Sequence, residues 1–568
     1  MLKSLQKRLS LDKKATLLII AGSLAWSATM VKSGLRYGYG VGFWGPNGHD
    51  GVWHISLIRS LSEGSFEMPI YAGETLKNYH IGFDLLLALV HKLTNIPIPT
   101  LYFQVFPPLA ALLIGILVYR LVLNWKKSTS AACWSTFFVY FAGNLGWIVT
   151  LIRNGDIGGE SIFWAQPSML TLINPPFALS LVFILVGLNL LVKINKASTG
   201  KYLLLVLLFG LLIQVKAYAG VIVLGALFTS GLYEFWKERK LTYFKIFIAS
   251  ALISFVVFLP NLGSGSLLQF NPFWFLETMM SFPDRLGWVR FGEAMVNYRA
   301  AGNWLRAIPA YVIAIVIFWY GNLGARFMNE FYWVKLIKSK KKISSFDNFL
   351  GSAIAIGFMC TLLFVQKGTA WNTIQFFYYS LFFTSILSGV VFAGILDSKY
   401  TKRYKNLLIV GILVLTLPTT VSILRHYLPS RPPSMIPNYE LEALWFLGNQ
   451  QKGTVLVLPF DRKTAGEAVD NPPRPLRLYE STSYVSAYSG QQVWMEDEVN
   501  LDITSYNWQE RREKLSKIIE ENNQDRMRQF LDEENISYVY AVGEKNNVFS
   551  GLENIYGESD LNIYKTAR

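Results

Sequence analysis

Charge is scarce in this chain. Of its 568 residues only 16% are Asp, Glu, Lys or Arg, against 52% hydrophobic and 15% aromatic. So small a charged fraction, interrupted by long apolar runs, excludes an ordinary soluble protein and indicates a polytopic membrane protein. Cysteine is nearly missing. Cys133 and Cys360 both lie inside apolar runs, which leaves no disulfide framework and no cysteine metal site. The chain has no Walker loop, no GxGxxG ahead of a helix, no HExxH and no GxSxG, which argues against a nucleotide-driven pump and against a serine or zinc hydrolase. Internal repeats and low-complexity tracts are absent as well. Basic residues are the one charged class in excess, 53 Lys and Arg against 38 Asp and Glu for a net charge of +15. They sit in short clusters between apolar runs, the pattern of cytoplasmic membrane loops, and so do not point to nucleic acid.

Eleven apolar runs approach or reach the ~17–25 residues that a spanning helix needs. They cover 15–31, 100–123, 131–152, 175–192, 201–215, 217–235, 244–260, 306–326, 349–366, 374–397 and 407–424. The basic start, MLKSLQKRLSLDKK, ahead of the first run reads as an uncleaved signal anchor. With the N-terminus inside, the clusters at 125–127, 193–201, 237–240, 335–342 and 399–405 all fall on the cytoplasmic side. This parity holds only if the apolar run 79–94 does not cross, so it is expected as a re-entrant or interfacial helix packed on protein.

The outward face then receives loops 32–99, 153–174, 261–305 and 367–373, and the tail after Tyr427. The expected architecture is an α-helical polytopic membrane domain, 1–427, of about 11 transmembrane helices, followed by a small α/β extracytoplasmic domain, 428–568. The tail opens with a Pro-rich linker, LPSRPPSMIP. A helix at Tyr439–Leu447, a strand in GTVLVLPF, a strand through Tyr484–Val485, a charged helix at Gln509–Glu521 and a strand in ISYVYAV follow. About 140 residues suffice for an independent core.

In the first outward loop the breaker Gly45-Pro46-Asn47-Gly48 precedes a helix starting near Gly51. Asp50 takes its N-cap or first turn, with His54 one turn on and Leu57 and Leu61 continuing that face. Asp50 reads first as a helix cap that complements the dipole and second as a catalytic acid, roles that are compatible because a capping carboxylate keeps a second oxygen free. His80 and Asp84, one turn apart at the start of the non-crossing helix, read as a polar pair or as a hydrogen bond that holds that helix. Asp156 and Glu160, in the second outward loop, are either solvated charges or a second acidic site, serving as base and orienting acid or as ligands of a hard divalent cation.

Arg153, Lys216 and Lys367 are cations on the outward side, against the positive-inside bias. Lys216, between two apolar runs, is costly to leave unpaired, and an anionic lipid phosphate would satisfy it as snorkelling would. The loop carrying Arg285, Arg290, Arg299 and Arg306 is basic and aromatic, which suits a phosphate-sugar, with Trp288 and Trp304 as stacking faces or as interfacial anchors.

A first span, a long outward loop with the acid of GHDGVWHISLI, the aromatic-led helix of YHIGFDLLLAL, many further spans and an outward soluble tail together resemble the GT-C superfamily of polyprenyl-phosphate-sugar-dependent membrane glycosyltransferases. The likeness covers roughly residues 10–425, and the tail is similar to modules carried by bacterial members. The resemblance implies a catalytic base at Asp50 and a second acidic position at Asp156 or Glu160. Its donor would be a sugar on a polyprenyl phosphate, and its acceptor an extracytoplasmic glycan, lipid or protein. Two departures stand out. Asp50 is followed by Gly51, not by a second acid, and the tail lacks the WWDYG of asparagine-linked oligosaccharyltransferases.

Such a reaction needs an acceptor hydroxyl deprotonated and aligned, and the departing phosphate stabilised. Asp50 would serve as base, oriented by His54 or His49, with Lys216, Arg299 and Lys367 neutralising the phosphate. The rival readings are a lipid or polysaccharide transporter, disfavoured by spans nearly free of central charge, and a non-catalytic envelope-assembly protein of the same fold.

Overall fold

The computed structural model describes residues 11–194, 198–261, 268–339, 343–543, 548–549 and 551–566. Residues 1–10, 195–197, 262–267 and 340–342, within the basic start, two basic loops and one outward loop expected above, lie outside the described residues. The chain divides into two compact units. Among the described residues one gathers 11–28, 107–259 and 268–426, and the other gathers 29–106, 260–261 and 427–566.

Each of the eleven apolar runs forms a helix or a pair of helices. Among the described residues seven helices are long and apolar enough to cross a membrane, eight if the bent pair Thr129–Phe141 and Gly146–Asn154 is one span. The others, Lys13–Ser27, Pro175–Leu191 and Thr199–Val215, have 15 to 17 residues. The protein is therefore a multi-pass helical membrane protein. Helices approach closely where glycine allows it. A Cβ on Gly389 would come within 2.2 Å of the backbone of Ser135, so the helices Ile374–Leu396 and Thr129–Phe141 touch there along their main chains. The bent pair breaks at 142–145, where the buried Arg326 guanidinium donates to the carbonyl of Ala142, an acceptor that the helix end leaves open.

The second unit holds two sheets. Strands β1 (Arg36–Tyr37), β2 (Gly40–Phe43), β3 (Ser434–Pro437) and β5 (Arg474–Pro475) form one, in the order β1-β2-β3-β5. The other contains β4 (Thr454–Val457), β6 (Gln492–Val493), β7 (Ile536–Val542), β8 (Glu553–Glu558) and β9 (Leu561–Lys565) in the order β8-β9-β7-β4-β6, with β4 parallel to both β6 and β7. The strands of GTVLVLPF and ISYVYAV are thus neighbours.

Tyr484–Val485, expected as a strand, starts a helix, Tyr484–Ser489. Its apolar residues at 484, 485, 487 and 488 follow a helical period, and Gly490 at φ 72° ends the turn, while the strand comes later as β6.

The first outward loop is part of this α/β fold. Trp53, Leu57, Met68, Ile70 and Tyr71 share a core with Leu456, Trp494, Leu515, Phe530 and Val539. Residues 69–72 run beside β6, with Val493 N–H donating to the Pro69 carbonyl at 2.9 Å and Ala72 N–H to the Val493 carbonyl at 2.9 Å. Two helices of this loop matter below, α1 (Asp50–Ser62) and α2 (Gly82–Thr94). At 1.5 Å per residue α2 is about 20 Å long, well short of a bilayer core of about 30 Å.

Candidate functional site

The turn ahead of α1 is pinned before any acid is placed. The Asn47 side chain donates to the Thr29 carbonyl at 3.2 Å and to Ser33 Oγ at 2.9 Å, and Ser33 Oγ also accepts from Trp44 N–H. Gly45, at φ 58°, lets the chain reverse into the short 3-10 turn Gly45–Gly48. His49 follows at the N-cap position of α1 and Asp50 occupies its first turn. Gly51 has a steric reason. A Cβ there would sit 2.6 Å from Cζ of Phe103, so a second acid after Asp50 has no room.

His49 is buried and bridges two carboxylates. Its Nδ1 lies 2.9 Å from Asp50 Oδ1 and its Nε2 lies 3.2 Å from Asp497 Oδ1. Asp50 is half exposed, at 51% of its side chain, whereas the Asp497 side chain is fully enclosed. Burial pulls the imidazole down, but the charges and hydrogen bonds of Asp497 and then Asp50 outweigh it and hold His49 well above its usual range. It is therefore an imidazolium at neutral pH, donating from both ring nitrogens. Asp497 is held firmly in turn. It sits at φ 55° and caps the helix Glu498–Ile503, accepting from Asn500 N–H at 3.1 Å and from the Asn500 side chain at 2.8 Å. Glu480 belongs to the same charge cluster. Burial pushes its carboxyl up, and the charges of Asp50 and Asp497 add to this against the pull of His49.

His54 and His80 lie in the same unit, apart from this bridge. His54 Nδ1 is 2.7 Å from Asp84 Oδ1, both side chains buried, with the ring stacked on Tyr102 at 5.6 Å and edge-on to Phe83 at 5.6 Å. Asp84 thus ties α1 to α2 through His54, which points to α2 from the α1 face that packs on it. The His80 ring lies against Tyr79, centroids 4.6 Å apart.

The remaining predicted residues belong to the helical unit. Asp156 is exposed and paired with Arg425 at 3.1 Å, while Glu160 accepts a hydrogen bond from Ser422. Both acids thus lean on the helix Lys402–Tyr427. Arg299 is paired with Glu277 at 2.7 Å, and Tyr311 donates to the same carboxylate at 2.5 Å. Lys216 forms the extended break between Thr199–Val215 and Ala217–Glu238, is 5% exposed, and donates to Asn174 Oδ1 at 3.3 Å. Lys367 is exposed in the turn after Phe364–Gln366. Trp288 is half exposed and stacked on Phe291 at 4.7 Å. Among the described residues no three His, Cys, Asp or Glu side chains are grouped as a metal site.

Sequence reading missed Asp497, Glu480 and Glu496. Glu496 is buried and accepts from the Val485 and Ser486 N–H groups at 3.2 and 2.9 Å, and burial still pushes it up to about 8. Folded Glu496 therefore holds a proton that the unfolded chain has released above about pH 4.5, and stability falls as pH rises from there to about 8. The amide of Glu496→Gln can accept from only one of the two N–H groups, so we predict a stability offset from wild type at pH 5 that moves in the variant's favour by pH 8, by at most about 5 kcal/mol. Melting of the detergent-solubilised proteins at the two pH values checks this.

No protein-family pattern matches the sequence, and no curated protein is similar to it in sequence. In fold the chain is similar to the archaeal oligosaccharyltransferase AglB of Archaeoglobus fulgidus in complex with an inhibitory peptide and a dolichol-phosphate. The TM-score is 0.50 at 10% identity, over 93% of this chain and 69% of that one. The Archaeoglobus fulgidus oligosaccharyltransferase in the apo form gives the same values, TM-score 0.50 at 10% identity over 93% and 69%. At this identity the likeness is one of fold alone.

Proposed function

We propose that the protein is a membrane glycosyltransferase that moves a sugar from a polyprenyl-phosphate donor to an acceptor hydroxyl outside the cytoplasm, with inversion. The observation that carries this reading, in a chain of GT-C fold, is the half-exposed Asp50 carboxylate at a helix N-terminus, set by a buried imidazolium that a second, enclosed carboxylate holds in place. Asp50 takes the acceptor proton as the hydroxyl oxygen bonds to the anomeric carbon. The bond from that carbon to the phosphate oxygen breaks, and its electron pair leaves with the polyprenyl phosphate. His49 positions Asp50. Lys216 and Lys367 are the cations proposed for the phosphate, because Arg299 is already engaged by Glu277. The proposal keeps the N-terminus cytoplasmic and the C-terminal domain extracytoplasmic. Asp156 and Glu160 are kept as the second acidic position, and Glu160 is the better fit because Asp156 is tied to Arg425.

The test is donor consumption by purified protein in liposomes supplied with polyprenyl-phosphate mannose, glucose or aminoarabinose together with a bacterial envelope extract as the source of acceptor hydroxyls. At least one donor is expected to release polyprenyl phosphate. If all three decay no faster than with heat-inactivated protein, the reading fails.

A further inference from the structure

A cavity of about 830 Å3 lies in the α/β unit, within the range of about 300–1,000 Å3 that small-molecule sites occupy. Its position follows from the sheet. β4 and β7 are parallel neighbours whose onward chains part, β4 leading to β6 on one side and β7 to the β8–β9 hairpin on the other. Where adjacent parallel strands send their loops to opposite sides, their carboxyl ends leave a crevice open to a ligand. Val457 and Leu458 at the end of β4, and Val542 and Gly543 at the end of β7, line the cavity.

The wall chemistry narrows the ligand. Two of its guanidinium groups are already paired within the protein, Arg512 with Glu498 and Arg477 with Glu440, the latter at 3.0 Å. The lining carries six acidic side chains against four basic ones, which disfavours a polyanion. Thr482 also lines it, 5% exposed, and its hydroxyl has no hydrogen-bond partner among the described residues. A buried hydroxyl left so is costly, and a ligand group would satisfy it. Phe460, Met495 and Ile519 add apolar wall. Mixed carboxylates, guanidinium groups and hydroxyls beside apolar surface suit a neutral polyhydroxylated ring, whose every hydroxyl donates and accepts at once.

We propose that this cavity binds a saccharide, and that this saccharide is the acceptor of the transfer. The acceptor role rests on the function proposed above, whereas saccharide binding stands without it. Asp497 belongs to the cavity wall and meets His49 at 3.2 Å, and His49 meets Asp50 at 2.9 Å. One imidazole therefore separates the wall from the proposed base.

The test is binding by the full-length protein in detergent, without donor, of maltotriose, chitotriose and mannotriose, followed by saturation-transfer NMR and calorimetry. An Asn-Ala-Thr peptide and inorganic phosphate serve as comparison ligands. At least one trisaccharide is expected to bind. Thr482→Val should weaken it roughly tenfold or more through the lost hydrogen bond, while Thr482→Ser binds as wild type and both variants melt as wild type. The proposal is overturned if no trisaccharide binds, if the two variants bind alike, or if the peptide or phosphate binds in a Thr482-dependent way. Saccharide binding by a protein that consumes no donor leaves the site standing and removes the acceptor role. Donor consumption without saccharide binding does the reverse.

Discussion

Asp50→Asn folds normally and loses transfer by about 10²–10⁴-fold in kcat, the usual contribution of a general base. The carboxamide has the size of the carboxylate and keeps an oxygen toward His49, but it cannot accept a proton from an acceptor hydroxyl. The change is tolerable for the fold because Asp50 is half exposed. Its service to the helix dipole is worth only about 0.3–1 kcal/mol. If Asp50 only complemented the dipole in the first turn of α1, Asp50→Ser would keep full activity at a cost of about 0.3–1 kcal/mol in stability. The base reading requires instead that Asp50→Ser be as inactive as Asp50→Asn. Asp84→Asn is the contrasting variant. It unbalances the buried pair with His54, and its effect should appear in the melting temperature first. Single-turnover release of polyprenyl phosphate, set beside thermal melting, separates the cases. Asp50→Asn retaining more than about a tenth of wild-type kcat sinks the assignment.

The sequence made the helical unit legible because each span carries its own signal. Apolar length and basic flanks are local properties, and the runs beginning at Ala15 and ending near Arg425 are helices. Charge parity led to the expectation that the run 79–94 does not cross, and its helix α2 has 13 residues. The tail showed its buried strands for the same local reason, in GTVLVLPF and ISYVYAV. What pairing over long distance creates had no such trace. Nothing in the periodicity of residues 32–99 announces that Trp53 and Ile70 share a core with Trp494 and Phe530. His54 was read as a partner of Asp50 because the two stand one turn apart, whereas the structure gives it Asp84, thirty residues on. The partner that completes the His49 bridge is 448 residues away. Gly51, an oddity in the sequence, has a cause only once Phe103 is placed against it.

That distant partner sets the second large effect. Asp497→Asn changes charge and almost nothing else. Asparagine tolerates the left-handed backbone at φ 55°, and its side-chain oxygen can still accept from Asn500 N–H at the start of the helix Glu498–Ile503. His49, however, loses the strongest of the influences that hold its proton, while burial continues to pull it down. In wild type the stability and the positioning due to charged His49 are full below about pH 6.5 and fade only as pH rises through its raised value. In Asp497→Asn this fading begins at lower pH. The alkaline limb of the kcat profile should therefore move to lower pH, with a larger loss at pH 8 than at pH 6. The melting difference between the two proteins should likewise be widest at or below pH 6 and shrink at alkaline pH. A residue that merely braced the fold would lower kcat by the same factor at every pH. His49→Gln provides the limit, since an amide in place of the imidazole removes the alkaline limb that titrates with His49. An unshifted limb in Asp497→Asn, or an alkaline limb that survives His49→Gln, would show that the bridge from Asp497 through His49 does not govern Asp50.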